Sequence, residues 1–307
     1  MILCCGEALI DMIPGTMADG RPALSPHSGG ASLNVAIALG RLGAPAGLFT
    51  GLSRDLFGRQ LEAALVASGV DPSLAARSDR PTTLAFVELV QGSARYSFYD
   101  ENTAGRMLSV ADLPALPESV TALAFGGISL IHSPAADAYA ALALREAGRR
   151  CIVVDPNIRP GFVEDEAAYR ARLARLLAVA DLVKVSEEDM EWLLPDTADR
   201  TGALLAQGAA LVVVTKGGEG AVAVHRDGWQ AEAAALTVPV VDTVGAGDTF
   251  LAGVMARAWE LGVLSRDGLA GVTPEQMRDV LGLAARAAAV TVSRAGANPP
   301  WRAELLL

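Results

Sequence analysis

The segment Asp242-Thr243-Val244-Gly245-Ala246-Gly247-Asp248-Thr249-Phe250 carries the densest chemistry in the sequence. Its two glycines let the backbone turn tightly and bring its N–H groups against a ligand. The apolar run Thr249 to Leu261 that follows reads as a helix, and Leu236 to Val241 before it reads as a strand. A helix start leaves N–H groups without intrahelical partners and carries a partial positive charge, so the junction is a ready anion site. When a phosphoryl group is transferred, negative charge spreads over its equatorial oxygens, and aimed N–H donors stabilise it. Asp248 directly follows the glycines, where a carboxylate can take the proton of an attacking hydroxyl. It is equally suited to capping the helix, because Asp is a preferred N-cap. Spacing alone does not separate the two roles.

Two further segments have the same character. Gly29-Gly30-Ala31-Ser32-Leu33-Asn34-Val35-Ala36 again places glycines before a helix, with Asn34 in its first turn to offer an amide to hydroxyl groups. Gly6-Glu7-Ala8-Leu9-Ile10-Asp11 follows the apolar run Ile2 to Cys5, so Asp11 is expected at the carboxyl end of a first strand, where open α/β sheets bind ligands. Asn34 is otherwise an ordinary helix-start residue, and Asp11 a solvated loop acid.

The elements that must hold these residues alternate. Strands are expected at Ile2 to Cys5, Ala46 to Gly51, Ala122 to Gly126, Cys151 to Asp155, Leu182 to Val185 and Leu211 to Thr215. Each is continuously apolar, as parallel strands covered on both faces are. Helical patterns separate them at Asn34 to Leu42, Leu56 to Ser68, Ala135 to Gly148, Ala167 to Ala180 and Glu187 to Leu194, and Leu281 to Val292 is an alanine-rich helix. The rhythm predicts an α/β protein with a doubly wound, mostly parallel sheet. Two segments break it. Residues 12–28 are rich in Gly, Pro and Ser, and residues 82–103 contain two β-like runs around Gln91-Gly92-Ser93, a hairpin pattern. Together they are expected to form a small β-sheet lid over a core made of residues 1–11, 29–81 and 104–307. Such lids exclude water from a reactive phosphoryl group.

Composition narrows the class. With 307 residues, 51% of them hydrophobic and 20% charged, the chain can bury a sizeable core. A formal net charge of -10 argues against a nucleic-acid partner, since a phosphate backbone would be repelled. Nothing reaches the ~18 apolar residues of a membrane span. Glu7 and Asp11 interrupt the N-terminal apolar stretch, so no signal peptide is expected. Cys4, Cys5 and Cys151 show no metal or disulfide spacing, and reduced buried thiols suit a cytoplasmic location. His27, His132 and His225 have no spacing that suggests a metal site or a triad.

The segments Gly29 to Gly43 and Asp242 to Asp248 resemble the two signature motifs of the ribokinase-like (PfkB) carbohydrate kinases. Asp155-Pro156-Asn157-Ile158-Arg159-Pro160, Val185-Ser186-Glu187-Glu188-Asp189 and Val214-Thr215-Lys216-Gly217-Gly218-Glu219-Gly220 match between them, in order and over nearly the whole chain. Gly6 to Asp11, Ser97 to Ala104 and Ser293 to Pro300 look like bacterial fructokinases. The resemblance implies that Asp248 is the base and that Gly245, Ala246 and Gly247 form the anion hole. It implies that Asp11, Gly30 and Asn34 hold sugar hydroxyls, that Phe98 and Asn102 close over the sugar, and that Arg159 meets phosphate or substrate oxygens. Lys184, Thr215, Gly217 and Gly220 would contact ATP.

The family often carries an Asn-x-x-Glu motif that organises Mg²⁺ through water, but here the segment is Ser186-Glu187-Glu188-Asp189. Glu187 or Asp189 would take that role, and carbonyls near Asp242, Val244 and Gly296 would hold a monovalent cation such as K⁺. The resemblance also implies a homodimer through the lid. The expected function is an ATP-dependent kinase of a small sugar, foremost D-fructose to fructose 6-phosphate. The alternatives are another sugar of the same chemistry, such as 2-keto-3-deoxygluconate, and a sugar-binding regulatory protein without turnover. A dinucleotide dehydrogenase is disfavoured, because Gly6-Glu7-Ala8-Leu9 lacks the G-x-G-x-x-G loop.

Overall fold

The fold comes from a computed structural model that describes residues 1–90 and 93–305. Its main sheet has, among the described residues, nine strands in the spatial order Gln230–Ala233, Ala221–His225, Leu211–Thr215, Leu182–Ser186, Cys151–Asp155, Ala122–Gly126, Ile2–Cys5, Ala46–Phe49 and Val70–Asp71. The first three are antiparallel to their neighbours in that order, and from Leu211–Thr215 onward every adjacent pair is parallel.

Helices cover both faces, which explains the continuously apolar strands. In Ile2–Cys5, Ile2 and Cys4 join a core layer with Leu33, Val254 and Leu281, whereas Leu3 and Cys5 join the opposite layer with Tyr139 and Leu173. Successive side chains of a strand point to opposite faces, so a strand buried on both must be apolar at every position. Burying each such aliphatic side chain contributes about 1.5–3 kcal/mol. The helix Ala246–Glu260 is drawn close to Pro274–Val292 by small residues: a Cβ on Gly253 would stand 2.6 Å from Ala284 Cα.

A second sheet has the order Pro22–Gly29, Leu9–Thr16, Leu84–Val90 and Ser93–Tyr99. Leu9–Thr16 pairs antiparallel with Pro22–Gly29 and parallel with Leu84–Val90. Leu84–Val90 and Ser93–Tyr99 pair antiparallel, and the Gln91-Gly92 part of the turn expected between them lies outside the described residues.

Three local expectations change. Asp11 is not at the carboxyl end of the first strand, which stops at Cys5; it lies inside the second sheet, opposite His27 and Ala85. Leu236 to Val241 forms no strand. Leu236, Val240 and Val241 are exposed, and the N–H groups of Val241 and Asp242 both donate to Val292 O instead of to a neighbouring strand. The expected strand Ala46 to Gly51 ends at Phe49, and Gly51–Ser53 pairs separately with Ala76–Ser78. Among the described residues no helix is long and apolar enough to cross a membrane.

Candidate active site

The helix Ala246–Glu260 starts three residues earlier than its apolar pattern suggested, with Gly245 as N-cap. Gly245 has φ +75°, a left-handed conformation that costs a side-chain-bearing residue about 1 kcal/mol or more. Among the described residues, the first-turn N–H groups of Ala246 and Thr249 donate to Thr243 O and Gly245 O, while those of Gly247 and Asp248 find no carbonyl. Those two donors are the ones left for an anion.

Asp248 is therefore the third residue of the helix and not its cap. Its side chain is 7% exposed, and Oδ2 accepts a 2.9 Å hydrogen bond from Asn34 Nδ2. Asn157 Nδ2 makes a longer contact of 3.5 Å with Oδ1. Burial raises the proton affinity of the carboxyl; the Asn34 bond and the charges of Lys184 and Arg159 work against that, and Glu7 adds to it. A buried acid with raised proton affinity at a helix mouth is the environment of a general base.

Asn34 lies in the first turn of the helix Ala31–Arg41, which Gly30 heads at φ +104°. Its amide nitrogen was expected to reach a sugar hydroxyl, but it is bonded to Asp248. Glu7 had no assigned role, yet its carboxylate joins two walls of the site: Oε1 accepts from Ala31 N at 3.0 Å and Oε2 from Ser129 N at 3.2 Å. Burial pushes its proton affinity up. Asp155 and Asn157, which belonged to a recognised segment without a stated role, stand beside Asp248 and line one small cavity with it. A carboxylate that ends a buried strand was the available signal for Asp155, and the left-handed φ of +44° at Asn157 has none in sequence.

A cleft of about 900 Å³ opens between the second sheet and the core, lined among others by Glu7, Thr83, Tyr96, Phe98, Arg106 and His132. Phe98 packs edge-on against Phe162 at 4.7 Å between centroids. The pairing of Asp11 with Ala85, and of Ala85 with Phe98, puts Asp11 and Phe98 on one face of the sheet. Burial pushes Asp11 up to about 6. Asp248 does not line this cleft. It lines the adjacent cavity, which Gly127 also borders, and a Cβ on Gly127 would meet Glu7 Oε1 at 2.4 Å. Glu7 thus stands between the two spaces. Asn102 is exposed, with φ +57°; its neighbours Glu101 and Thr103 line the cleft and it does not. Arg159 is exposed, donates to Ile158 O at 3.0 Å, and its charge reaches Asp248 and Tyr96.

Lys184, expected to contact ATP, is a buried side chain. It is 4% exposed and bonded to Asp155 Oδ2 at 2.9 Å. Thr215 pairs with Ser186 across adjacent strands, so the Gly217–Gly220 turn follows the carboxyl end of its strand beside the one that Glu187 follows. Gly217 has φ +52° and open space around it, and Gly220 closes the turn at φ +103°.

For a divalent ion, the described residues hold no cluster of three or more acidic, histidine or cysteine ligands. Asp189 is committed to backbone: Oδ1 accepts from Ile158 N at 2.8 Å and Oδ2 from Ser186 N at 3.0 Å. Glu187 is exposed at the same helix start. This set fits an ion that keeps most of its water, as Mg²⁺ does. Asp242 ties two loops together, its oxygens accepting from Val244 N at 3.0 Å and Gly296 N at 2.8 Å.

The site thus offers an acid that can take a hydroxyl proton, freed N–H donors and a buried cation beside it, and a polar cleft. Comparison with known proteins gives the family. The profile of the pfkB family carbohydrate kinases matches residues 1–304. A fructokinase of Rhizobium leguminosarum bv. trifolii is 49% identical over 281 residues, 91% of this chain and 86% of the relative. A fructokinase of Escherichia coli is 35% identical over 98% of this chain and 96% of its own. The crystal structure of a fructokinase with bound ATP from Xylella fastidiosa superposes with a TM-score of 0.89 at 29% identity, covering 99% of this chain and 96% of that one.

Proposed function

Because the chain belongs to the pfkB family of carbohydrate kinases, we propose that it is an ATP-dependent fructokinase, moving the γ-phosphoryl group of ATP to the 6-hydroxyl of D-fructose. The observation that carries the kinase reading is the buried Asp248 carboxylate, oriented by Asn34 beside the freed N–H groups of a helix mouth. Asp248 takes the acceptor's proton as the sugar oxygen bonds to the γ-phosphorus. The bond from that phosphorus to the bridging oxygen breaks, and its electron pair leaves on ADP. The freed N–H groups of Gly247 and Asp248, presented by the Gly245-Ala246-Gly247 turn while the Ala246 N–H is held by Thr243 O, face the charge that develops.

Charge in the cleft favours a neutral sugar over an acidic one such as 2-keto-3-deoxygluconate. Arg106 is engaged by Asp100 at 2.8 Å, and Glu7, Glu101 and Glu164 add negative charge to the same walls. A carboxylate entering there meets more repulsion than attraction. In this reading Asp11, Gly30 and Asn34 surround the sugar, with Phe98, Asn102 and Arg159 closing over it. The lid is residues 12–28 and 82–103, which supply most of the second sheet, whose strands also take in Leu9 to Asp11 and Gly29. Lys184, Thr215, Gly217 and Gly220 serve ATP, and Glu187 is the acid available to a hydrated Mg²⁺. When bound, Mg²⁺ neutralises phosphate charge. The loops joined by Asp242, with Val244 and Gly296, would hold K⁺. Exposed Ile13, Met17 and Leu24 on the edge hairpin of the second sheet support a homodimer through the lid. The buried free thiols Cys4, Cys5 and Cys151 support a cytoplasmic location.

A coupled assay of ATP consumption across fructose, ribose, 2-keto-3-deoxygluconate and nucleosides tests the assignment, with the product's phosphorylated position read by NMR. Fructose gives the highest kcat/KM; no ATP-dependent turnover of fructose would remove that substrate.

Asp11 supplies a pH prediction. Its burial-raised proton affinity means that it loses its charge as pH falls through about 6. A sugar hydroxyl donating to it then loses its charged acceptor and the stronger, charge-assisted hydrogen bond. The dissociation constant for fructose, measured by calorimetry, is level above pH 7 and rises by about tenfold per unit well below pH 6. Asp11→Asn binds weakly at every pH with no such slope. An unchanged pH dependence in that variant would dismiss Asp11 from the sugar site.

A further inference from the structure

Asp155 ends the main-sheet strand Cys151–Asp155 and is buried. Its Oδ2 accepts from Lys184 Nζ at 2.9 Å, whereas its Oδ1 is buried without a hydrogen-bond partner in the protein. Asp155, Asn157 and Asp248 share the wall of a cavity of about 20 Å³, enough for one water molecule. Lys184 Nζ also lies at the floor of the glycine turn, since a Cβ on Gly247 would stand 3.4 Å from it. One buried ammonium therefore stands between two acids, bonded to Asp155 and within electrostatic reach of Asp248.

We propose that Asp155 is a positioning residue for the transfer: it holds the Lys184 ammonium under the glycine turn and off Asp248, so that Asp248 stays basic enough to take the hydroxyl proton. The inference rests on Asp248 being the base. Its logic is competition for one cation. A general base works best when its proton affinity is matched to the working pH, and an unshared ammonium within a few ångströms lowers a carboxyl's pKa by roughly 1–3 units. With Asp155 ionised, most of that field is spent on Asp155.

The other charges are accounted for. Asp248 faces Glu7 from the connection after the first strand and Arg159 from the loop after Asp155. Asp155 faces Asp189 from the helix after Lys184, in addition to Lys184 and Asp248 themselves. Burial pushes Asp155 up to about 6, with Asp189 and Asp248 adding to the rise and Lys184 opposing it. Burial alone would lower the proton affinity of Lys184, but Asp155, Asp189 and Asp248 outweigh it and raise it. The pair is thus doubly charged through the neutral range.

The test is the acid limb of the kcat–pH profile with saturating ATP and fructose. In Asp155→Asn the ammonium is left to Asp248, and the limb moves to lower pH by about one unit or more. The plateau falls by about tenfold as the base weakens, while both KM values stay within about threefold. Adding Lys184→Gln to that variant removes the unshared cation and returns the limb toward its position in the unchanged enzyme. If Asp155→Asn alone does not fold, the comparison is Lys184→Gln against the double variant. Lys184→Gln moves the limb upward, because Asp248 then faces an uncompensated Asp155, and adding Asp155→Asn brings it back. A limb that ignores the state of residue 155 in either comparison overturns the proposal. Full turnover in Asp248→Asn would instead refute the base itself, so the two failures are distinct.

Discussion

Asp248→Asn lowers kcat by roughly 10²–10⁴, the usual effect of losing a general base, and leaves the fold and ATP affinity close to those of the unchanged protein. The substitution suits the question because it keeps the shape of the site. An Asn carbonyl oxygen can still accept the hydrogen bond that Asn34 Nδ2 gives to Oδ2 at 2.9 Å. It removes the negative charge, and with it the capacity to hold the acceptor's proton. Stability gives a second check. Burial raises the proton affinity of the folded-state carboxyl, so its ionised form is disfavoured by folding and neutralising it costs the fold little. The measurements are kcat with fructose, the melting temperature, and the ATP dissociation constant by calorimetry. Near-normal kcat would remove Asp248 from the role. A collapse of the melting temperature together with kcat would mean that the carboxylate is structural.

Gly245→Ala is the second large effect, reached through backbone instead of through a proton. Gly245 holds φ +75°, and a Cβ there would stand 2.6 Å from Ala297 Cβ and 3.0 Å from Ala297 Cα. Neither strain is relieved by rotating a side chain, because both partners belong to the loop that Asp242 fastens through its bond to Gly296 N. The helix mouth and that loop must separate, and the N–H donors of Gly247 and Asp248 lose their aim. The left-handed conformation costs about 1–3 kcal/mol for alanine. The expected fall in kcat is of order 10²–10³, as for one misplaced oxyanion donor. Gly15→Ala is the matched control, since a Cβ at Gly15 meets nothing within 4 Å. Equal kcat and melting temperature in the two variants would mean that the turn does not need glycine.

The glycine–acid junction before a helix was readable because turn chemistry and helix starts are set within a few residues. The parallel sheet was readable for a related reason: a strand buried on both faces is apolar along its run, as Ile2–Cys5 and Ala122–Gly126 are throughout and Cys151–Asp155 and Leu211–Thr215 are up to their last residue, Asp155 or Thr215. The same rule failed at Leu236 to Val241. Its β-branched residues satisfy the local pattern, but the Val241 N–H reaches Val292 O and no strand, and Leu236, Val240 and Val241 remain in solvent.

The sequence by itself determined the alternation of buried strands with helices and the positions where glycines open a helix mouth, since both are written in neighbouring residues. The tertiary structure alone decided which role each charged side chain can play. Asp248 accepts from a residue 214 positions away in sequence and is not a cap. Lys184 is buried against Asp155, Asp189 is consumed by backbone N–H groups, and Asp11 belongs to the second sheet. The physical reason is that the chemistry of an ionisable group follows its burial and its charged partners, and here those partners come from distant parts of the chain.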